Sequence, residues 1–181
     1  MEVLKSSDSN HRVWLLGACV LAAVLLVYFV PLFICQPLWA DATHYDVLAQ
    51  EVANGRVLYG DVTDTNLPGA VWIHLAVRGV AGKRSEVLRV FDLLVVLGIA
   101  WTLARLATTG RPQRTTLCLF AGAATLLYYF SCTPMVHCQR DVWMLLPAAL
   151  AVTLWHRQIT ASQHRAAGAL LISLLQGLLW G

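Results

Sequence analysis

Two aspartates stand at the edges of long apolar runs. Asp41 comes just after the uncharged stretch from Val13 to Cys35, and Asp141 sits in "CQRD", a polar break between two further apolar runs. Asp141 is also the sole acid between Leu93 and Gly181. Two carboxylates beside a membrane surface can share a divalent ion or divide acid–base work. A neighbouring guanidinium, here Arg140, can hold a phosphate. Together these residue types suit a reaction on a lipid-linked phosphate. Plainer readings stand beside this one: Asp41 as a solvated loop acid, and Arg140 and Asp141 as headgroup-level charges at helix ends. A lone acid among apolar helices is nevertheless a functional-site candidate by default. His137 is either an assistant to Asp141 or an interfacial histidine at a helix end.

The elements that must position these groups can be read next. Thr43-His44-Tyr45-Asp46 has the spacing of a capping box, which predicts a helix from about His44 to the Asn54-Gly55 pair, a good C-cap. Tyr45, Leu48, Ala49 and Val52 fall at i, i+3, i+4 and i+7 and make one apolar stripe, with Asp46, Gln50 and Glu51 off it. Such a helix suits the headgroup zone. Asp61, Asp64 and Asn66 lack the alternation of an EF-hand loop and read as turn chemistry before Pro68-Gly69. Arg89 and Asp92, three apart at the start of an apolar run, read as a structural i,i+3 pair.

Composition sets the class. Of 181 residues, 58% are hydrophobic and 13% charged, about half the charge of soluble domains. The expectation is an all-α, polytopic transmembrane helix bundle in a single membrane domain over 1–181. Its spans are expected at about 13–35, 88–107, 115–134, 142–156 and 166–181, since each crossing needs roughly 20 apolar residues. The final run, still in progress at Gly181, suggests the N-terminal part of a longer protein. Loop 36–87 is expected on the outer, periplasmic side and carries amphipathic interfacial helices. One of these is 68–82, which is short and holds His74 and Arg78, costly groups at a bilayer centre. The basic turns near Arg111 and Arg157 then face the cytoplasm with the N-terminus, while "GKRSEVLR" places cations on the opposite side, against the positive-inside tendency. The scattered basic residues and net charge of +3 exclude a nucleic-acid surface.

The five cysteines, Cys19, Cys35, Cys118, Cys132 and Cys138, form no CxxC pair and have no histidine at zinc-ligand spacing. Cys19 and Cys118 read as core residues. Cys35, Cys132 and Cys138 lie near helix ends on the outer side, where a disulfide is compatible with the sequence but not deducible from it.

The pattern resembles the GT-C class of integral membrane glycosyltransferases, closest to the bacterial branch related to protein mannosyltransferases and aminoarabinose transferases. In that family one span is followed by an Asp-Glu-x-x-Tyr-like motif, an amphipathic helix ending in Gly, a Tyr-x-Asp segment and a Pro-rich turn. The matching residues are Asp41, Tyr45, Gly55, Tyr59, Asp61 and Pro68, with Arg89 and Asp141 in similar later positions. Ala42 stands where the family often has Glu, and Leu67-Pro68 where it often has two prolines. The resemblance implies sugar transfer from a polyprenyl-phosphate donor to an acceptor at the outer face of the inner membrane. Asp41 would be the catalytic base or acceptor-positioning carboxylate and Asp141 the second acid. A divalent metal shared by Asp41 and Asp141 is the one cofactor implied. Arg140 is assigned to the donor phosphate from its charge, and Tyr45 and His44 join it as substrate contacts. The lipid bilayer is the other partner. The alternatives are a non-catalytic or transport-type polytopic protein and an inactive truncated product.

Overall fold

Val13 to Cys35 carries no charge, so nothing in it resists a helix except Pro31. In the computed structural model, which describes residues 2–66, 68–111, 114–160, 173–174 and 177, helix α1 runs over Glu2–Val24. A π-helical turn follows at Leu25–Phe29, then α2 at Val30–Cys35 with the proline in its first turn. A proline lacks the N–H that would bond the carbonyl four residues back, and its ring clashes with that carbonyl. The wider π turn just before Pro31 accommodates this and keeps the rod continuous.

The other elements are α3 (Ala40–Ala53), α4 (Gly69–Ala81), α5 (Ser85–Ala107), α6 (Arg114–Ser131), a 3-10 turn (Pro134–Val136), α7 (Arg140–Trp143) and α8 (Leu145–Thr160). Among the described residues the chain is all-helical, with one isolated bridge between Leu58 and Val62. Among the described residues two helices are long and apolar enough to cross a membrane: Arg12–Cys35 and Ser85–Ala107, with mean hydropathies of 2.8 and 2.0. The expected runs at 115–134 and 142–156 are helices α6 and α8, of 18 and 16 residues. The expected run at 166–181 lies outside the described residues apart from 173–174 and 177.

The long helices pack side by side. Trp14 meets Phe120, and Phe29 and Phe33 both meet Phe130, so the first rod runs parallel to α6. Asp92 bonds Tyr129 and Thr108 meets Cys118, so α5 runs antiparallel to α6. At Gly98 a β-carbon would lie 3.1 Å from Leu146 Cδ1, so the missing side chain lets α8 come close to α5. One core joins Leu25, Phe33, Leu93, Val96, Leu126 and Tyr129. Below α3 and α4 a separate cluster holds Tyr45, Leu48, Ala49, Ala70 and Val71. The outward face of the first rod stays apolar and uncovered, with Leu16, Val20, Val27 and Leu32 all more than half exposed.

Several expectations are corrected here. Helix α3 starts at Ala40, with extended Trp39 as its N-cap, so Thr43 and Asp46 form no capping box. The early start places Asp41 in the first turn, where the helix dipole favours a carboxylate. Its end is as expected: Asn54 is the C-cap and Gly55 takes φ +94°, a conformation that costs glycine little. Cys19 is exposed rather than core, while Cys118 is buried. All five thiols are free, so Cys35, Cys132 and Cys138 form no disulfide.

Candidate functional site

Tyr45 lies at the centre of the predicted residues. It is buried on the inner stripe of α3, one helical turn after Asp41 and so on the same face. Burial lifts its phenol above the ordinary 10.0; Arg140 opposes the rise, and the carboxylates of Asp64, Asp41 and Asp141 add to it. Four charges from three separate segments therefore act on one neutral hydroxyl, which stays a hydrogen-bond donor. Asp41 and Asp141 are both exposed. Asp141 is 86% exposed, and its Oδ1 lies 3.4 Å from Arg140 Nε. His44 is half exposed, with Nε2 3.7 Å from Asp64 Oδ1. The contacts tie Arg140 to Asp141 and His44 to Asp64, and Asp41, Asp64, Arg140 and Asp141 all act electrostatically on the Tyr45 phenol.

Asp64 joins them although turn chemistry had accounted for it. Its Oδ1 accepts from the backbone N–H and the side-chain amide of Asn66, both at 3.2 Å. Its Oδ2 is buried without a hydrogen-bond partner among the described residues. Asp61 does close a turn, accepting from the Val57 N–H at 2.8 Å. Tyr59, held at φ 66°, reaches the Asn66 carbonyl with its hydroxyl.

Two residues on α5 set the position of both acids. Arg89 and Asp92 do not pair with each other, contrary to the expected i,i+3 contact. Both are fully buried. Arg89 Nη2 donates to the Pro37 carbonyl, in the segment that launches α3 and Asp41, and its guanidinium lies over the Phe33 ring at 5.0 Å. Asp92 accepts from Trp143 Nε1 and from the Tyr129 hydroxyl, each at 2.7 Å. Trp143 ends the short helix that begins with Arg140 and Asp141. One turn of α5 therefore ties down the element under each acid. Sequence spacing shows the two residues as neighbours, but their partners lie far along the chain. The signal available was a buried-type charge pair in an apolar helix, which demands partners.

His137 is buried beneath the end of α6, with Nε2 2.9 Å from the Tyr129 carbonyl. Burial pushes its pKa below the usual 6.5. The neutral ring donates from Nε2 and satisfies a helix-terminal carbonyl, so it does not reach towards Asp141. The next residue, Cys138, is buried with φ 59°. A non-glycine residue in this region is strained, and the bend it makes turns the chain into α7.

A second polar group joins α3 to α4. Asp46 was placed on the polar face of α3, yet it is buried. Arg78 holds it with two bonds of 2.7 Å, Nε to Oδ1 and Nη2 to Oδ2, and Gln50 adds a third at 3.2 Å. His74 is fully buried, with Nδ1 3.7 Å from Asp46 Oδ1 and its ring 5.4 Å from that of Trp143. Of the two costly groups of 68–82, Arg78 is thus satisfied against α3, while His74 lies beside Asp46 with neither ring nitrogen hydrogen-bonded among the described residues.

Among the described residues no three His, Cys, Asp or Glu side chains are grouped to hold a metal ion. Asp41 and Asp141 offer two carboxylates, one already facing Arg140, and that donor set is too thin to fit a resident ion. Comparisons with family models, with curated proteins and with solved structures found no match for this chain.

Proposed function

We propose that the chain is a multi-pass membrane glycosyltransferase of the GT-C type, at the outer face of the inner membrane with its N-terminus in the cytoplasm. It moves a sugar from a polyprenyl-phosphate donor to a hydroxyl-bearing acceptor. The observation that carries this reading is that Arg89 and Asp92, one turn of α5 apart, hold the segments that present Asp41 and Arg140–Asp141, at the start of a helix long and apolar enough to cross a membrane. The uncovered apolar face of the first rod supports a lipid surround. In this reading α6 and α8 also cross, and α4 lies at the interface.

The chemistry follows from the charges. Asp41 takes the acceptor proton as the acceptor oxygen bonds to the anomeric carbon. The bond from that carbon to the phosphate oxygen breaks, and the polyprenyl phosphate leaves with the electron pair. Arg140 meets the charge gathering on the leaving phosphate. Asp141 holds Arg140 in place and forms the second acid of the site. Tyr45 donates to a sugar or phosphate oxygen, and His44 contacts the substrate from the rim.

A non-catalytic or transport-type reading draws on the buried charges of Arg89 and Asp92 within α5, since such residues often mark pathways. The two are separated by one assay. Membranes bearing the chain are given a panel of polyprenyl-phosphate hexoses and pentoses, and transfer is measured in wild type and in Asp41→Asn at equal protein level. General-base loss is expected to lower transfer by about 100-fold or more. Full activity in Asp41→Asn removes its catalytic role, and no transfer by the wild type with any donor favours the second reading.

A further inference from the structure

The corner where α5 ends and α6 begins is cationic and has no acid to match. Arg105 lies in the last turn of α5, Arg114 begins α6, and Arg111 stands between them in the chain. Arg114 Nη2 donates to the Arg105 carbonyl at 3.0 Å, and the Arg111 N–H donates to the Thr108 carbonyl at 3.1 Å. Among the described residues none of the three pairs with a carboxylate. Arg114 Nε is buried with no hydrogen-bond partner among them. The sole acid from Leu93 to Gly181 is Asp141, on the short helix whose Trp143 bonds Asp92. Asp92 and Arg105 are roughly 20 Å apart by the helical rise. Cations gathered this far from any acid favour an anionic partner.

An apolar cavity of about 200 Å³ leads to this corner. It lies between the first rod, α5 and α6, and no charged residue lines it. On α5 its last lining residue is Trp101, and on α6 its first is Cys118. The Arg105 guanidinium lies over the Trp101 ring, 5.4 Å from its centroid. Arg114 precedes Cys118 by one helical turn and so shares its face. Both arginines therefore stand one turn beyond the end of an apolar cavity. Trp101 and Leu26 in its wall are more than half exposed, so the cavity opens to the surround of the bundle.

We propose that this corner binds one anionic phospholipid, with its phosphate on Arg105 and Arg114 and an acyl chain in the cavity along Trp101, Leu97 and Gly122. Charge complementarity selects this occupant. The chain needs the apolar walls, and a phosphate matches guanidinium groups that no carboxylate neutralises. The exposed Arg111 adds to the same field. The inference rests on the reading that the first rod and α5 cross a membrane with the N-terminus in the cytoplasm, which sets this corner at the inner leaflet.

The test uses the full chain with vesicles of phosphatidylcholine alone, then with equal parts phosphatidylcholine and phosphatidylglycerol of the same acyl chains. Flotation with phosphatidylcholine vesicles reports membrane insertion by itself. Lipids retained after detergent extraction are counted by native mass spectrometry. The expected result is one retained phospholipid, with phosphatidylglycerol preferred about tenfold or more, since each arginine near an anionic headgroup is worth about fivefold. The double variant Arg105→Gln with Arg114→Gln should bring that preference close to one, while Lys83→Gln, at the far end of α5, should leave it unchanged. A β-carbon at Gly122 meets nothing within 4 Å, so Gly122→Leu grows into the cavity and should lower retention of both lipids. Equal retention of the two lipids by the wild type, a preference that survives the double variant, or an equal loss in Lys83→Gln overturns the proposal while leaving the membrane reading intact. Undiminished retention in Gly122→Leu overturns the place given to the acyl chain. Failure of the wild type to float with either vesicle overturns the membrane reading, and the lipid site with it.

Discussion

The chain holds two buried polar assemblies that use charge in opposite ways. Between α3 and α4, Asp46 and Arg78 satisfy each other in a two-bond fork. On α5, Arg89 and Asp92 sit one turn apart yet bond elsewhere, Arg89 to the Pro37 carbonyl and Asp92 to Tyr129 and Trp143. The fork is a closed pair that fastens two neighbouring helices. The α5 residues are an open pair that fastens segments distant in the chain, and those segments carry Asp41 and Asp141. A closed pair can be exchanged for apolar residues at little cost, because what removing both partners leaves behind, the Gln50 amide and the Gly82 and Arg84 carbonyls, is open to water. An open pair has no such exchange, because each member's partners stay behind.

The largest expected effect breaks the open pair. Asp92→Ala strands the Tyr129 hydroxyl and the Trp143 indole N–H in a buried setting. Two orphaned buried donors together cost about 4 kcal/mol. Denaturant unfolding of the chain in detergent micelles should show it, and adding Arg89→Met should not restore stability. Recovery in that double variant would mean that Arg89 and Asp92 are a closed pair after all.

Next in size is the fork itself. Arg78→Ala leaves Asp46 buried and unpaired, and the side chains involved are only 8% and 11% exposed. A loss of about 3 kcal/mol is expected. Here the double variant Asp46→Leu with Arg78→Met should recover most of it in the same unfolding measurement. If it does not, the two assemblies do not differ in kind.

The sequence-to-structure relation divides along the same line. Helices α5 and α6 were readable because the lengths of their apolar runs are local facts. The C-terminal end of α3 was readable because Asn54-Gly55 is a local stop signal. Its start was misread by several residues because Thr43 mimics a cap, while the extended backbone at Trp39 is set by how α2 ends. Asp46 was misread as polar surface because its partner lies 32 residues away. Arg89 and Asp92 were visible as neighbours, but their partners lie 52, 37 and 51 residues away, and no spacing rule reaches that far. Asp64 was missed as a neighbour of Tyr45 because turn chemistry, its bonds to Asn66, already accounted for it.

The smallest effect sharpens the comparison from inside the closed pair. His74 lies against Asp46 but makes no hydrogen bond. Burial pulls its pKa from 6.5 to about 4; Asp46 opposes that shift and Arg78 reinforces it. The folded imidazole is therefore neutral at pH 5, while the unfolded one is mostly protonated. The unfolded state binds the extra proton, so stability rises with pH in this window. The contribution is fully present above the unfolded value of 6.5 and is lost as pH falls towards 4. With those two values, the loss from pH 7 to pH 5 comes to about 2 kcal/mol. His74→Leu, close in size and unable to titrate, should unfold with a pH dependence flatter by that amount. In Arg78→Ala the depression should shrink, because the cation that reinforces it is gone while Asp46 remains to favour the charged ring. A wild type and His74→Leu that lose stability equally between pH 7 and pH 5 would show that His74 keeps its proton in the fold, and that Asp46 answers to two cations rather than one.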